Sequence, residues 1–210
     1  VAFDHFDAHA GAGPVDPAQV FVEMAAVLGH AVFTICAWSM AGMEAMRFAA
    51  AGPPGLARLV LVDVVGLGGP LSEGRASWTE DVEAAVCDDP AREWARRAWR
   101  SWVHRGDLDT TEYEELTYRW LSSIPGGFER NLAANRQAVS TSLLDVLERV
   151  AVPTLVLAGR YSLVLGPEAG AEAVKRLRYG RLVVFEGSAH ALPLEEPERF
   201  QEEVARFVCT

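Results

Sequence analysis

The sequence predicts an α/β fold: a doubly wound, mostly parallel sheet with a helical segment inserted into it. Three observations predict it. Short apolar runs alternate with amphipathic helical patterns, as parallel strands joined by helical crossovers require. The stretch from Val64 to about Val150 drops the strand pattern and reads as helix throughout. Ala37-Trp38-Ser39-Met40-Ala41 places a serine between small residues where an apolar run gives way to a helix-forming one. This predicts three parts: a first core part over 1–63, a helical lid over 64–150 and a second core part over 151–210.

In chain order, Asp16-Pro17 is a cap followed by proline at the first helical position. Val20, Met24 and Leu28 then share one face before Gly29 stops the helix. Ala31 to Cys36 is an apolar strand. Met40 to Ala51 is a helix ended by Gly52-Pro53-Pro54. A second strand, Leu59-Val60-Leu61-Val62-Asp63, closes the first part. In the lid, Asp89-Pro90 opens a helix that aligns Trp94, Ala98 and Trp102, with Trp99 beside them and Gly106 as its stop. Thr111 with Glu114 predicts a capping box for the next helix, on which Tyr113, Leu116 and Trp120 line up. Breaks fall at Gly66 to Pro70, at Gly106 and at Pro125 to Gly127. The last part has strands over Val152 to Gly159 and Arg181 to Phe185, then helices over Pro167 to Arg178 and Pro197 to Val208 that cover the two sheet faces.

With 210 residues, 50% hydrophobic and 23% charged, the chain can bury a sizeable core without disulfides or metal. A formal charge of -10 speaks against a nucleic-acid or anionic-membrane surface. All but one of the nineteen cationic residues are arginine, and they are scattered among carboxylates rather than gathered in a stripe. Cys36, Cys87 and Cys209 are odd in number and far apart, which indicates neither a disulfide framework nor a zinc site. No histidine pair has metal-ligand spacing, and no Gly-x-Gly-x-x-Gly follows a strand, so no cofactor is expected. No apolar run reaches the length of a spanning helix, and the default compartment is the cytoplasm. The expected partner is a small-molecule substrate.

Ser39 is the candidate nucleophile, because a turn from strand to helix pushes a serine hydroxyl out of the sheet. The small side chains of Ala37 and Ala41, two before and two after, let strand and helix approach. His190, on the loop Gly187-Ser188-Ala189-His190 after an apolar strand, is the candidate base. His5, His9, His30 and His104 read as surface or structural residues. Five of the six tryptophans fall in the helical segment. Their stripe packs the lid onto the core, and its underside, with Trp38, Trp99, Trp102 and Trp120, would wall an apolar pocket over the serine.

These segments, taken in order, resemble the α/β-hydrolase family, in its serine-hydrolase, esterase-like branch. Residues 59–63 are similar to the family's sixth strand, 152–159 to the seventh, 181–185 to the eighth and 186–190 to the loop that presents the catalytic histidine. His5-Phe6-Asp7-Ala8-His9-Ala10 sits where the family commonly has an Asp-Leu-Arg-Gly-His-Gly loop after its fourth strand. The resemblance implies that the chain, opening on Val1 without methionine, is a partial sequence lacking the first three strands. It also implies an oxyanion hole built from the Met40 N–H and a donor on a loop before the chain begins. Most relatives carry the triad acid as Gly-x-x-Asp after the seventh strand; here Gly159-Arg160-Tyr161-Ser162 puts a serine there. Glu168 reads as the cap of the following helix. Asp63, at the end of the sixth strand, is the alternative, either as the triad acid or as a cap for the lid's first turn.

The resemblance implies ester or thioester hydrolysis through an acyl-enzyme, and Trp38 resembles carboxylesterases of the Gly-Trp-Ser-x-Gly type. An acyltransferase or cofactor-free haloperoxidase shares the triad. A non-catalytic binding module on the same scaffold is the competing reading.

Overall fold

The computed structural model describes residues 17–69, 88–123 and 125–209. Asp16, His5, His9, Pro70 and Cys87 lie outside them. Helix α1 (Pro17–Val27) leads to strand β1 (Phe33–Trp38), helix α2 (Ala41–Ala50) and strand β2 (Leu56–Val62). Next come helices α3 (Pro90–Trp102), α4 (Thr111–Ser123), α5 (Gly127–Ser140) and the single turn α6 (Leu144–Leu147). Strand β3 (Thr154–Gly159), helix α7 (Gly166–Arg176), strand β4 (Gly180–Phe185), the turn α8 (Leu192–Glu195) and helix α9 (Pro197–Val208) complete the order.

The four strands form one parallel sheet in the order β1-β2-β3-β4. The central strands β2 and β3 are covered on both faces, as parallel strands need, while the edge strand β1 leaves Cys36 and Trp38 exposed on one face. Leu59, Leu61, Val156 and Ala158 face α2 and α7 in a core that includes Met46, Phe48, Ala173 and Leu177. Val60, Val62, Leu155 and Leu157 face the other way, onto Phe185, Leu192 and the Phe200, Val204 and Phe207 side of α9. Each fully buried leucine in these layers contributes about 2 kcal/mol through apolar surface removed from water. Helices α3 to α5 form a third cluster around Trp94, Ala98, Leu121 and Leu132.

Several boundaries and contacts differ from expectation, each for a local reason. Strand β1 runs two residues later than the apolar run suggests. Its register with β2 pairs Phe33 with Leu56 and Trp38 with Val62, and the Ser39 N–H still donates to the Val62 carbonyl at 3.1 Å. Leu28 is exposed, and the side of α1 turned to the core is the one carrying Phe21, whose ring lies 5.1 Å from that of Phe48. Helix α3 starts where Asp89-Pro90 predicts, with the Asp89 carboxylate accepting the Arg92 N–H. It ends at Trp102 rather than at Gly106, because the Trp102 carbonyl is taken by N–H groups from residues 190 and 191 and Val103 turns extended. The Thr111–Glu114 box does not form. Thr110, one residue earlier, donates its hydroxyl to Glu114, while Asp109 accepts the Thr111 N–H. Leu116 points to solvent, and Leu121 is the buried residue of α4.

Glu93 gives α3 a defined acid response. Hydrogen bonds from Arg96 at 2.5 Å and Arg97 at 2.6 Å hold its carboxyl down at about 2, from an ordinary value of 4.5. A depressed folded-state pKa stabilises above the unfolded value, and that contribution is lost as pH falls through the folded one. The difference in stability between the protein and its Glu93→Gln variant, about 0.5 kcal/mol for a pair this near the surface, should therefore shrink between pH 4.5 and pH 2. Urea titrations followed by tryptophan fluorescence at stepped pH would measure it; a constant difference across that range would refute the assignment.

Candidate active site

The carboxyl ends of the four parallel strands converge on one spot, the edge at which open α/β sheets collect ligands. Ser39 follows β1, Asp63 follows β2, Ser162 lies in the loop after β3, and His190 follows β4. Sequence distance is therefore no guide to proximity here: the Ser39 and His190 side chains, 151 residues apart and following the two outer strands, meet because all four strands end on the same side of the sheet and their loops run toward one another.

Ser39 sits at φ 55°, in the left-handed region that a side chain rarely adopts and that costs on the order of 1–3 kcal/mol. The turn is pinned on three sides. The Ser39 N–H donates to the Val62 carbonyl, while the Ser39 carbonyl accepts from Gly42 at 3.1 Å and from Val65 at 3.3 Å. Ala37 is buried and Ala41 half-buried beside the elbow, but the closest approach falls at Gly42. A Cβ there would lie 2.2 Å from Val64 Cγ1, so the turn requires glycine at the third position after the serine as well as small residues at the second. Met40 caps α2 with no side-chain cap bond, which leaves N–H groups at this helix start without an intrahelical acceptor.

Asp63 also has positive φ, at 43°, and is fully buried. Its N–H donates to the Leu157 carbonyl at 2.8 Å, which fixes the side chain at the sheet edge. Three donors meet its carboxylate. Oδ2 lies 2.6 Å from His190 Nδ1 and accepts a hydrogen bond from the Ser162 hydroxyl, while Oδ1 accepts the Gly159 N–H at 3.3 Å. His190 is 1% exposed, and its Nε2 lies 3.0 Å from Ser39 Oγ. An ionised carboxylate can only accept, so the Nδ1–H points at Asp63 and the Nε2 lone pair points at the serine hydroxyl. Ser39, His190 and Asp63 thus form one continuous relay.

Of the four tryptophans expected near the serine, Trp38, Trp99 and Trp102 are brought together. The Trp38 ring lies 5.1 Å from the His190 ring, 6.5 Å from Trp99 and 6.0 Å from Trp102, and the Trp102 ring lies 5.4 Å from His190. Trp38 is also tied to the histidine loop, its Nε1–H donating to the His190 carbonyl at 3.0 Å. Trp120 packs against the Trp94, Leu121 and Leu132 cluster between helices, as Trp102 does on its other side. The spacing that aligned it with Tyr113 follows the side of α4 turned to its neighbouring helices. Glu168 stands in the first turn of α7, where the helix dipole favours it, but the N-cap position is Leu165 and no side chain makes a cap bond there.

Two residues join the site that sequence reasoning did not place in it. Ser162 could not replace a carboxylate, yet it serves one: its hydroxyl donates to Asp63 and accepts the Val164 N–H at 3.0 Å. Glu195, buried within α8, accepts from both the histidine loop and the end of α3. The only sequence signal for Glu195 is an acidic residue in a turn that is otherwise apolar.

A Ser–His–Asp relay at the carboxyl edge of a parallel sheet, with the serine on a strained strand-to-helix turn, defines the class of fold and site. The chain belongs to the alpha/beta hydrolase family, whose model matches residues 3–203, and is a hydrolase by that membership. It is 28% identical over 177 residues to the pimeloyl-[acyl-carrier protein] methyl ester esterase of Nitrosomonas europaea, an alignment covering 80% of this chain and 68% of that protein. It is 28% identical over 178 residues to the 2-hydroxymuconate semialdehyde hydrolase of Pseudomonas putida, covering 81% of this chain and 60% of that one. Among solved structures, an esterase from Exiguobacterium antarcticum superposes with a TM-score of 0.72 at 20% identity, over 92% of this chain and 72% of that chain, a likeness of fold. No helix among the described residues is long and apolar enough to cross a membrane.

Proposed function

We propose that this chain carries the machinery of a serine hydrolase that cleaves a carboxylic ester or thioester of a small, largely apolar substrate. The observation that carries the reading is the relay itself, with 3.0 Å between Ser39 Oγ and His190 Nε2 and 2.6 Å between His190 Nδ1 and Asp63 Oδ2. A serine hydroxyl is a weak nucleophile until a base takes its proton, and these distances suit that transfer. Ser39 Oγ attacks the carbonyl carbon as its proton passes to His190 Nε2. Asp63 stabilises the resulting imidazolium. The oxyanion accepts from the Met40 N–H at the start of α2, where the helix dipole also favours negative charge. The bond to the leaving oxygen or sulfur breaks as His190 returns the proton to it. Water then repeats the sequence on the acyl-enzyme and frees the acid. Every step uses protein groups and water, with no cofactor.

The substrate class rests on Trp38, which precedes the nucleophile and keeps 37% of its surface exposed, and on Trp99 and Trp102 beside it. In this reading helices α3 to α5 act as a lid whose underside is aromatic. The esterase similarity agrees with ester cleavage. A fluorophosphonate probe tests the proposal: the protein should take up one equivalent, and the Ser39→Ala variant none. A folded protein inert to the probe would instead support a binding module on a hydrolase scaffold.

A further inference from the structure

We propose that Glu195 is a positioning residue that ties the orientation of His190 to the seating of the end of α3. This inference rests on the reading of His190 as the base. The carboxylate is 1% exposed and reaches two segments at once. Its Oε1 accepts the N–H groups of His104 at 2.5 Å and Arg105 at 3.1 Å, just past the end of α3. Its Oε2 accepts the N–H of Ala189 at 2.8 Å, one residue before the histidine. A buried carboxylate is costly unless hydrogen-bonded, and here three backbone donors meet it.

The same two segments are bonded again on the far side of His190. The N–H groups of His190 and Ala191 both donate to the Trp102 carbonyl at 2.9 Å, and the Arg105 guanidinium donates to the Glu195 carbonyl at 3.1 Å. With the Trp38 Nε1–H on the His190 carbonyl, the backbone of the histidine is held at its N–H, at its C=O and at the preceding residue. Residues 102–105 and 189–191 therefore behave as one hydrogen-bonded unit, and the end of α3 cannot lift without moving the imidazole. Any opening of the helical segment must hinge elsewhere if the relay is to stay aligned.

Glu195→Gln keeps the shape but turns one acceptor into a donor that faces a backbone N–H. On a short-chain p-nitrophenyl ester, kcat should fall about 10- to 100-fold, as for a catalytic group held loosely, with KM within about threefold. The loss should fall on kcat and not on KM, because the substrate pocket is untouched while the imidazole is held less well. Rates are referred to sites titrated with a fluorophosphonate, so a fall that merely reports unfolded protein is removed. Unchanged kcat per titrated site, or a loss that falls on KM instead of kcat, overturns the proposal.

Hydrogen exchange on the unaltered protein tests the coupling without any variant. The amides of His104, Arg105, Ala189, His190 and Ala191 should open with one shared free energy. Release of His104 and Arg105 in a separate, easier step overturns it as well. If the unaltered protein is neither labelled nor active, the hydrolase reading fails, while the exchange result still reports whether the two segments are coupled.

Discussion

Asp63→Asn is expected to lower kcat about 10⁴-fold while leaving the melting temperature and KM close to those of the parent protein. The size of the effect follows from the proton bookkeeping around one oxygen. Asp63 Oδ2 faces both the Ser162 hydroxyl and His190 Nδ1, and Oδ1 faces the Gly159 N–H, so all of its neighbours are or can be donors. An asparagine oxygen turned toward Gly159 presents its NH2 to His190 Nδ1, which must then accept. The imidazole proton moves to Nε2 and confronts Ser39 Oγ, and the base is lost although no atom has shifted. Ser162 can adapt, since a hydroxyl also accepts, which is why stability changes little. Turnover of a p-nitrophenyl ester, with thermal melts alongside, measures both halves. Activity within tenfold of the parent protein would show that Asp63 only caps a turn.

The residues that identify themselves in sequence are those whose chemistry and local geometry coincide. Ser39 stands between small residues at a strand end, and His190 follows Gly187 after an apolar strand. Both patterns are short-range, so both are legible, as are α3 from Asp89-Pro90 and α9 from Pro197. Asp63 is half-legible: its place at a strand end suits either of two roles, and the imidazole that favours one of them comes from the loop after β4, 127 residues along the chain. What stays hidden is set by tertiary contact. Helix α3 stops at Trp102 because a carbonyl there serves a loop far along the chain, which no residue near Trp102 announces. Glu195 is invisible for the same reason, since two of its three donors, the N–H groups of His104 and Arg105, come from a distant segment. Trp120 shows the converse limit: helical spacing reports that a face is buried, and only the structure shows that it packs on the cluster between helices.

Gly159→Ala carries the second large effect, and it strikes stability and chemistry together. A Cβ at this position would lie 1.8 Å from the Ala189 carbonyl oxygen, 2.6 Å from its carbon and 2.8 Å from the Ser188 carbonyl oxygen. All three are backbone atoms of the histidine loop, so no side chain can swing aside, and the loop itself must move. Ala189 is bonded to Glu195 and adjoins His190, while the Gly159 N–H holds Asp63 Oδ1. Displacement at one point therefore disturbs both ends of the relay. The expected cost is about 3 kcal/mol of stability, at the upper end for overpacking, with kcat/KM lowered at least about 100-fold in the fraction that remains folded. Gly106→Ala is the matched control, because a Cβ there meets nothing within 4 Å and the backbone is not left-handed. Denaturant titration and ester turnover of the two variants separate the effects. Equal stability and equal turnover in both would mean that the strand end and the histidine loop are not packed backbone against backbone, and the alignment of His190 on Asp63 would need another support.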